Sequence, residues 1–368
     1  MSDFPERLES RVTMRNIICI GGSSGALEAL QRLVPQLPAD LPAAVFIVRH
    51  IAPDSSGLLT EILQPKCSLP ISEAVDGEPI RRGRIYIAPP NLHLLLERKN
   101  VKLASGPKEN WVRPAIDPLF RTAAQFHGPR SIGVVLSGKL DDGSAGLWAL
   151  KRRGGFAVVQ DLEDAASPEM PRHAMAAVKV DAVGDAEEIG AALSEWCREP
   201  SGHAARDLSE TLVEAENTHL LDGGAKEALL EQFGDAIGVV CPACGGQLWQ
   251  LKEGPLRYRC HVGHGMSAHS LLAQQREVVE QMSWQIIRAI EEEDRLIEKI
   301  LREKVPAETE DLLQRRLNRN AEKLLTLRPL LFKDQGDAAF SSDRLRNRGD
   351  DGTPVGGDST DTVPVSRT

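Results

Sequence analysis

Three residues able to act as nucleophile, base and acid each follow a separate apolar run. Ser23 stands in GGSSG (Gly21–Gly25), directly after IICI. His50 ends VFIVRH, and Asp141 and Asp142 follow GVVLSGKL in SGKLDDGSAG. A serine hydroxyl attacks poorly until a base takes its proton. A neutral imidazole can do so near neutral pH, and a carboxylate on its other nitrogen fixes the tautomer and stabilises the imidazolium. GGSSG fits G-x-S-x-G, in which a strained turn from strand to helix lifts the hydroxyl clear of a sheet. The Ser24 amide then lies at a helix N-terminus, where it can stabilise an oxyanion. A Gly/Ser turn serves equally as a phosphate cradle or a plain structural turn. The spaced G-x-G-x-x-G and the lysine of a P-loop are both missing from it. The chain order Ser, His, Asp also differs from the Ser, Asp, His order of α/β-hydrolases.

A second constellation lies far downstream. Cys241-x2-Cys244, fifteen residues, and Cys260-x3-His264 have metal-ligand spacing. Four such ligands suit tetrahedral zinc and leave no position open for water, so a structural zinc is expected, and no cofactor for catalysis. Some thirty residues around Trp249 and Tyr258 cannot bury enough apolar surface to fold unaided. His264 has the usual reach for the fourth ligand, while His261 adjoins Cys260. Cys19, Cys67 and Cys197 stand alone and read as small apolar residues.

The elements that must position these groups follow from patterning. From about residue 15 to 195, apolar strands alternate with amphipathic helices: NIICI, AAVFIVRH, SIGVVLSG and GFAVVQ against ALEALQRLVPQL, SGLLTEILQ (Ser56–Gln64), IDPLFRTAAQF and AGLWALKRRG. That alternation predicts an α/β fold with a doubly wound, mostly parallel, Rossmann-like sheet. Ligands of such sheets bind beyond the carboxyl ends of the strands, so Ser23, His50 and the two aspartates are expected to face one crevice. RIYIAPP and LHLLLE, followed by VKLA, read as a β-rich insertion. Ser24 reads as an N-cap and Asp141 as solvent-facing or capping; Arg113 is placed in the cleft, and His93, His127 and His173 are structural. The remaining boundaries are a flexible 1–14, a linker with short helices at 196–236, a zinc-ribbon-like module at 237–268, a helical hairpin at 269–330 and a disordered tail at 331–368. In the first hairpin helix Leu271, Val278, Met282, Ile286, Ile290, Ile297 and Ile300 share one face. A net charge of −9 argues against bulk nucleic-acid binding, as does the acidic EEEDRLIEK. With no secretory signal and no apolar run long enough to span a bilayer, the chain is expected to be cytoplasmic, without membrane insertion.

IGGSSGALEAL, VFIVRHIAP, DGEPIRRGRIYIAPPNLHLLL, RPAIDPLF, GVVLSGKLDDGSAGLWALKRRGG and VVQDLEDAASPEMPRHAM, in that order, make residues 16–195 resemble the catalytic domain of CheB-type chemotaxis protein-glutamate methylesterases. The resemblance implies a serine hydrolase that removes methyl groups from γ-glutamyl esters on receptor helices and releases methanol. It assigns Ser23 as nucleophile, His50 as base and Asp142 as the third member, with backbone near Lys139 joining Ser24 at the oxyanion. Departures from the family pattern are Gly22 for the usual alanine and Lys139-Leu140 for a common Met-Gly pair. A phospho-receiver domain often precedes such domains; about fifteen residues precede the first strand here, so none is expected. The downstream module resembles a zinc-binding extension found behind some of these domains. Partners implied are methylated receptor-like helices, with self-association through the C-terminal helices. The alternative function is an inactive adaptor that works through the module and hairpin.

Overall fold

The computed structural model of the chain describes residues 14–52, 58–201, 212–222 and 227–333. The flexible terminus expected before residue 14, most of the tail and the first residues of the Ser56–Gln64 helix lie outside the described residues.

The apolar runs form strands because both faces of each are covered. β1 (Ile17–Gly22) is buried along its whole length, and its alternate side chains enter different cores. Ile18 and Ile20 pack with Leu30 and Leu33 of α1 (Ala26–Leu33), while Ile17 and Cys19 face the opposite layer. β2 (Ala44–Arg49) lies beside β1, and α2 (Leu59–Leu63) leads to β3 (Ile71–Glu73) and β4 (Arg84–Ile87). β5 (His93–Leu96) and β6 (Val101–Ala104) form a separate antiparallel pair. Next come α3 (Ile116–His127), β7 (Ser131–Val135), α4 (Ser144–Arg152), β8 (Phe156–Gln160), α5 (Glu169–Ala177), β9 (Ala182–Gly184) and α6 (Ala186–Arg198).

These build one seven-stranded sheet in the order β3-β4-β2-β1-β7-β8-β9. Every pairing in it is parallel. Helices α1, α2 and α6 cover one face; α3, α4 and α5 cover the other. The order reverses at β1, so the tip of β1 is a topological switch point, where such sheets take ligands. Two expectations change. RIYI is a buried strand of the main sheet rather than part of the insertion, because Ile85 and Ile87 pack in one core and Tyr86 in the other. β3, only three residues long, is too short to leave a pattern in the sequence.

Two helices, α7 (Leu212–Asp222) and α8 (Glu227–Phe233), lead to a four-stranded antiparallel sheet. Its strands are β10 (Gly234–Val240), β11 (Gln247–Leu251), β12 (Arg257–Cys260) and β13 (Gly265–Ser267). α9 (Ala268–Leu301) and α10 (Ala307–Lys333) complete the described chain. The chain divides into two compact units between Leu271 and Leu272. In the second unit, α9 and α10 are tied by Arg316–Glu293 (2.8 Å) and Arg328–Glu291 (2.6 Å). Its buried apolar residues, among those described, are Ile287 and Ile297, whereas Met282, Ile286 and Ile300 of the expected apolar face are exposed. No helix among the described residues is long and apolar enough to cross a membrane.

Candidate active site

Strand register brings the three expected groups to one edge. Gly22 of β1 lies opposite Arg49 of β2, so Ser23 and His50 leave neighbouring strands side by side. The His50 amide donates to the Gly22 carbonyl at 3.1 Å, and the Ser23 amide to the Ser137 carbonyl, just past β7, at 2.9 Å. β1 thus ends between the strand that delivers His50 and the strand that leads to Asp142. The side chains of His50 and Asp142 meet in front of it: His50 Nε2 lies 2.7 Å from Asp142 Oδ2. With that nitrogen donating to a carboxylate, the basic lone pair sits on Nδ1. Among the described residues no hydrogen bond joins the Ser23 hydroxyl to the His50 ring. Such contacts often tighten only in the substrate complex.

GGSSG is shaped by space as well as conformation. A Cβ on Gly22 would lie 2.5 Å from that of Ala26, so the departure from alanine fits the close entry into α1. Gly25, at φ 80°, caps that helix in a left-handed conformation that costs glycine little. Ser24 is therefore not a side-chain N-cap; its carbonyl accepts from Ser137 Oγ at 2.7 Å. Leu140, at φ 61°, occupies the left-handed region where the resembled family often has glycine. Its amide donates to Glu169 at 3.0 Å, and its carbonyl bonds His173 Nδ1 at 2.7 Å. Those two bonds hold the Lys139–Leu140 turn, and they give His173 a partner that the sequence did not reveal.

Asp142 is 2 % exposed, and its carboxylate is fully engaged. Oδ2 accepts from His50 and from the Ile116 amide (2.7 Å); Oδ1 accepts from Asn110 Nδ2 (2.9 Å) and the amides of Asp117 (3.2 Å) and Gly143 (3.0 Å). Burial pushes its pKa up, but the bond and charge of His50 and the bonds from Ile116 and Asn110 hold it below the usual carboxylate range. Asp117, also buried, goes the other way: burial first, then the charge of Asp142, raise it well above that range. The two carboxylates share the donor Asn110 Nδ2, 3.0 Å from Asp117 Oδ2, so a proton taken by the pair resides on Asp117 and Asp142 stays charged.

Asp141 does not face solvent. It is 8 % exposed and takes Ser267 Oγ at 2.5 Å and His269 Nδ1 at 3.1 Å. Arg113 spends its guanidinium on Asn91 Oδ1 (2.6 Å) and the carbonyls of Ser105 (2.7 Å) and Gly106 (2.6 Å). His93 and His127 each bond a backbone carbonyl, as structural histidines do.

The four downstream ligand candidates also converge. The donor atoms of Cys241, Cys244, Cys260 and His264 all lie within 4.8 Å of one another, a group that can hold a metal ion. Cys244 and Cys260 sulfurs are 3.6 Å apart, and His264 Nδ1 lies 3.8 Å from Cys241 Sγ and 3.5 Å from Cys260 Sγ. His261 is exposed and lies outside the group.

Residues 18–193 match the model of the CheB methylesterase family. A putative protein-glutamate methylesterase/protein-glutamine glutaminase of Leptospira interrogans is 42% identical over 173 residues, which cover 47% of this chain and 90% of that protein. The chain belongs to the CheB methylesterase family. It is, accordingly, a carboxylic ester hydrolase. Protein-glutamate methylesterase/protein-glutamine glutaminase 2 of Rhizobium johnstonii is 35% identical over 181 residues, 48% of this chain and 49% of that protein. The crystal structure of the Thermotoga maritima CheB methylesterase catalytic domain aligns with a TM-score of 0.48 at 32% identity, over 49% of this chain and 98% of that one. The family match stops short of the Cys/His group and both long helices.

Reading the sequence missed Asn110, Asp117, Glu109 and Arg259. Asp117 stands in RPAIDPLF, at the start of a helix, where a carboxylate is expected as a cap; its donors Gly143 and Gly146 come from the start of another helix, α4. Arg257 and Arg259 alternate on one strand and so share a face. Nothing in RYRC says what that face meets.

Proposed function

We propose that this chain hydrolyses γ-glutamyl methyl esters on helices of a receptor-like protein in chemotaxis-type signalling. The carrying observation is the 2.7 Å contact between His50 Nε2 and Asp142 Oδ2 in front of the strand end that bears Ser23. Asp142 fixes the ring with its proton on Nε2, and His50 Nδ1 takes the proton of the Ser23 hydroxyl. Ser23 Oγ attacks the ester carbonyl, and the amides of Ser24 and Lys139 receive the oxyanion. Collapse breaks the ester C–O bond; methanol leaves with the proton held by His50, and Ser23 carries the glutamyl acyl group. Water, deprotonated by His50, then releases the glutamate side chain. Attack on a glutamine side chain, the second activity in the relatives' names, would differ only in releasing ammonia.

Zinc is the metal we assign to Cys241, Cys244, Cys260 and His264. Zinc–sulfur bonds near 2.3 Å in a tetrahedron give sulfur–sulfur edges of about 3.8 Å, close to the 3.6 Å spacing of Cys244 and Cys260. With all four positions taken by protein, its contribution is to folding, and no step of the hydrolysis passes through it. The work is placed in the cytoplasm, where receptor helices carry such esters. The exposed Met282, Ile286, Leu312 and Leu325 of α9 and α10 offer an apolar surface for self-association.

The test is methanol release from a methylated receptor by the full chain and by Ser23→Ala. Release by the wild type alone supports the reading; equal release by both overturns it.

A further inference from the structure

We propose that the Cys/His module is a working part of the esterase site, because it holds Asn110, and Asn110 holds Asp142. The proposal rests on the reading of Ser23, His50 and Asp142 given above.

Residues 109–112 of the α/β domain run along β13 of the module. The Asn110 amide donates to the Gly265 carbonyl at 2.8 Å, and the Ser267 amide donates to Asn110 Oδ1 at 2.9 Å. Trp111 Nε1 donates to the Ser270 carbonyl at 3.2 Å, and its ring packs with Cys241, Leu248, Cys260 and Met266. Both Asn110 (φ 48°) and Trp111 (φ 68°) are left-handed. Asparagine tolerates that region; tryptophan adopts it at a cost, so the turn persists only where its surroundings impose it. Those surroundings are the module.

The turn has one consequence for chemistry. It presents the Asn110 amide nitrogen to Asp142 Oδ1 and Asp117 Oδ2 together. Asn110 is thereby saturated: its oxygen is fixed by the module, and its nitrogen separates two carboxylates that would otherwise repel. Asp142 can then keep its other oxygen on His50. Ser267 and His269 clamp the neighbouring Asp141 from the same side.

Beside the Trp111 contact, the seam is closed by buried ions. Glu109 takes both nitrogens of Arg121 (2.6 and 2.7 Å) and Arg259 of β12 (3.0 Å); Arg259 also reaches Glu216 (3.0 Å), which pairs with Arg257 (2.8 Å). A cavity of about 30 Å3 at the seam is lined by Asn110, Asp117, Ser144 and Arg259, with the Ser144 hydroxyl and Arg259 Nε unpartnered on its wall. Contacts of this kind depend on the exact placing of β12 and β13, which carry or adjoin the ligands Cys260 and His264. Asn110 is therefore a positioning residue, and the metal ligands are its remote support.

The full-length protein tests this with p-nitrophenyl acetate, a small ester that needs no receptor docking. Metal removal by a chelator, Cys244→Ser and Asn110→Gly should each lower kcat about 10- to 100-fold with little change in KM. Glycine keeps the left-handed turn and the bond to Gly265, so Asn110→Gly deletes the amide without undocking the module. The double variant should fall no further than either single one. Added zinc should restore the stripped wild type. The low-field N–H proton of the His50–Asp142 bond, read by NMR, should be sharp in the metal-loaded protein and lost after stripping. Wild-type kcat and an intact proton signal in Asn110→Gly and Cys244→Ser would overturn the proposal, as would losses that multiply in the double variant. Ser23→Ala run alongside tells the two failures apart. If it keeps full turnover, the catalytic reading falls; the proton signal still reports on the link between metal and Asp142.

Discussion

In the α/β domain Ile18, Ile20, Val45, Phe46, Val134 and Val158 are sealed on both faces of the sheet at 0 % exposure. In the Cys/His module the buried cluster is Cys241, Leu248, Cys260 and Met266, joined by Leu271 of α9, with Trp249 and Leu251 buried beside it, and most of β10 is open to solvent. Burying an aliphatic side chain contributes roughly 1.5–3 kcal/mol, so the first region holds its shape by area alone. The second has less such area and more buried charge, and on the proposed reading metal–ligand bonds make up the difference. The site draws on both. Ser23 and His50 hang from the rigid strands, whereas Asp142 sits on a loop whose inner side is packed by the sheet and whose outer side is held by the module. On the proposed reading, precision in the nucleophile and base is a property of packing, and precision in the acid is borrowed from the module.

Chelation should expose that contrast most strongly. Structural zinc contributes about 10–16 kcal/mol of apparent folding free energy in small modules. Hydrogen exchange should show β10–β13 losing protection on metal removal while β1, β2 and β7 keep theirs; simultaneous loss in both would mean a single cooperative unit. Next in size is Asp142→Asn. By analogy with the protease template it should lower kcat by on the order of 10⁴-fold, because the amide favours the wrong tautomer of His50. Its melting temperature should fall little beside that loss, and a drop below tenfold would remove Asp142 from the reaction.

Arg259→Leu probes the seam. It leaves Glu109 and Glu216 with fewer buried partners, and breaking such a pair costs about 3–5 kcal/mol. The variant should melt the module before the sheet, as a second transition in calorimetry. One sharp transition at the wild-type temperature would show the ions to be incidental. The smallest effect is the titration of Glu216. Burial works to raise its pKa, but Arg257, Arg121 and Arg259 hold it down at about 2, against an ordinary 4.5. A depressed acid stabilises the fold fully above its ordinary pKa and loses that contribution as pH falls toward the folded value. Module protection should therefore be constant above about 4.5 and decline between there and about 2. Decline beginning near neutral pH would point to another group.

How far the sequence could be read divides along the same line. Alternating apolar runs announced the parallel sheet, and the rule that ligands gather at strand ends placed Ser23, His50 and Asp142 together. Four Cys and His residues at ligand spacing announced the group that converges in the module. Asn110 and Trp111 gave no signal, since a left-handed turn in a non-glycine pair is imposed from outside the segment. Asp117 went unread, and Asp141 looked solvent-facing or like an ordinary cap, because Gly143 and Gly146 in the one case and Ser267 and His269 in the other lie far along the chain. Arg257 and Arg259 alternate as a polar strand face should, and only the docked Glu109 and Glu216 make that face buried. RIYI read as part of an insertion because short strands follow it, and β3 was too brief to register. Of the apolar stripe read along α9, Leu271 and Ile297 are buried, but Met282 and Ile286 are exposed and Ile287, off the stripe, is buried.

Labelling with a phosphonofluoridate, followed by peptide mass spectrometry, asks the central question most directly. The account predicts one adduct, on the peptide containing Ser23, formed in step with loss of esterase activity and abolished by His50→Ala. An inactivated enzyme whose adduct sits on another serine, or full inactivation with Ser23 unmodified, would contradict it.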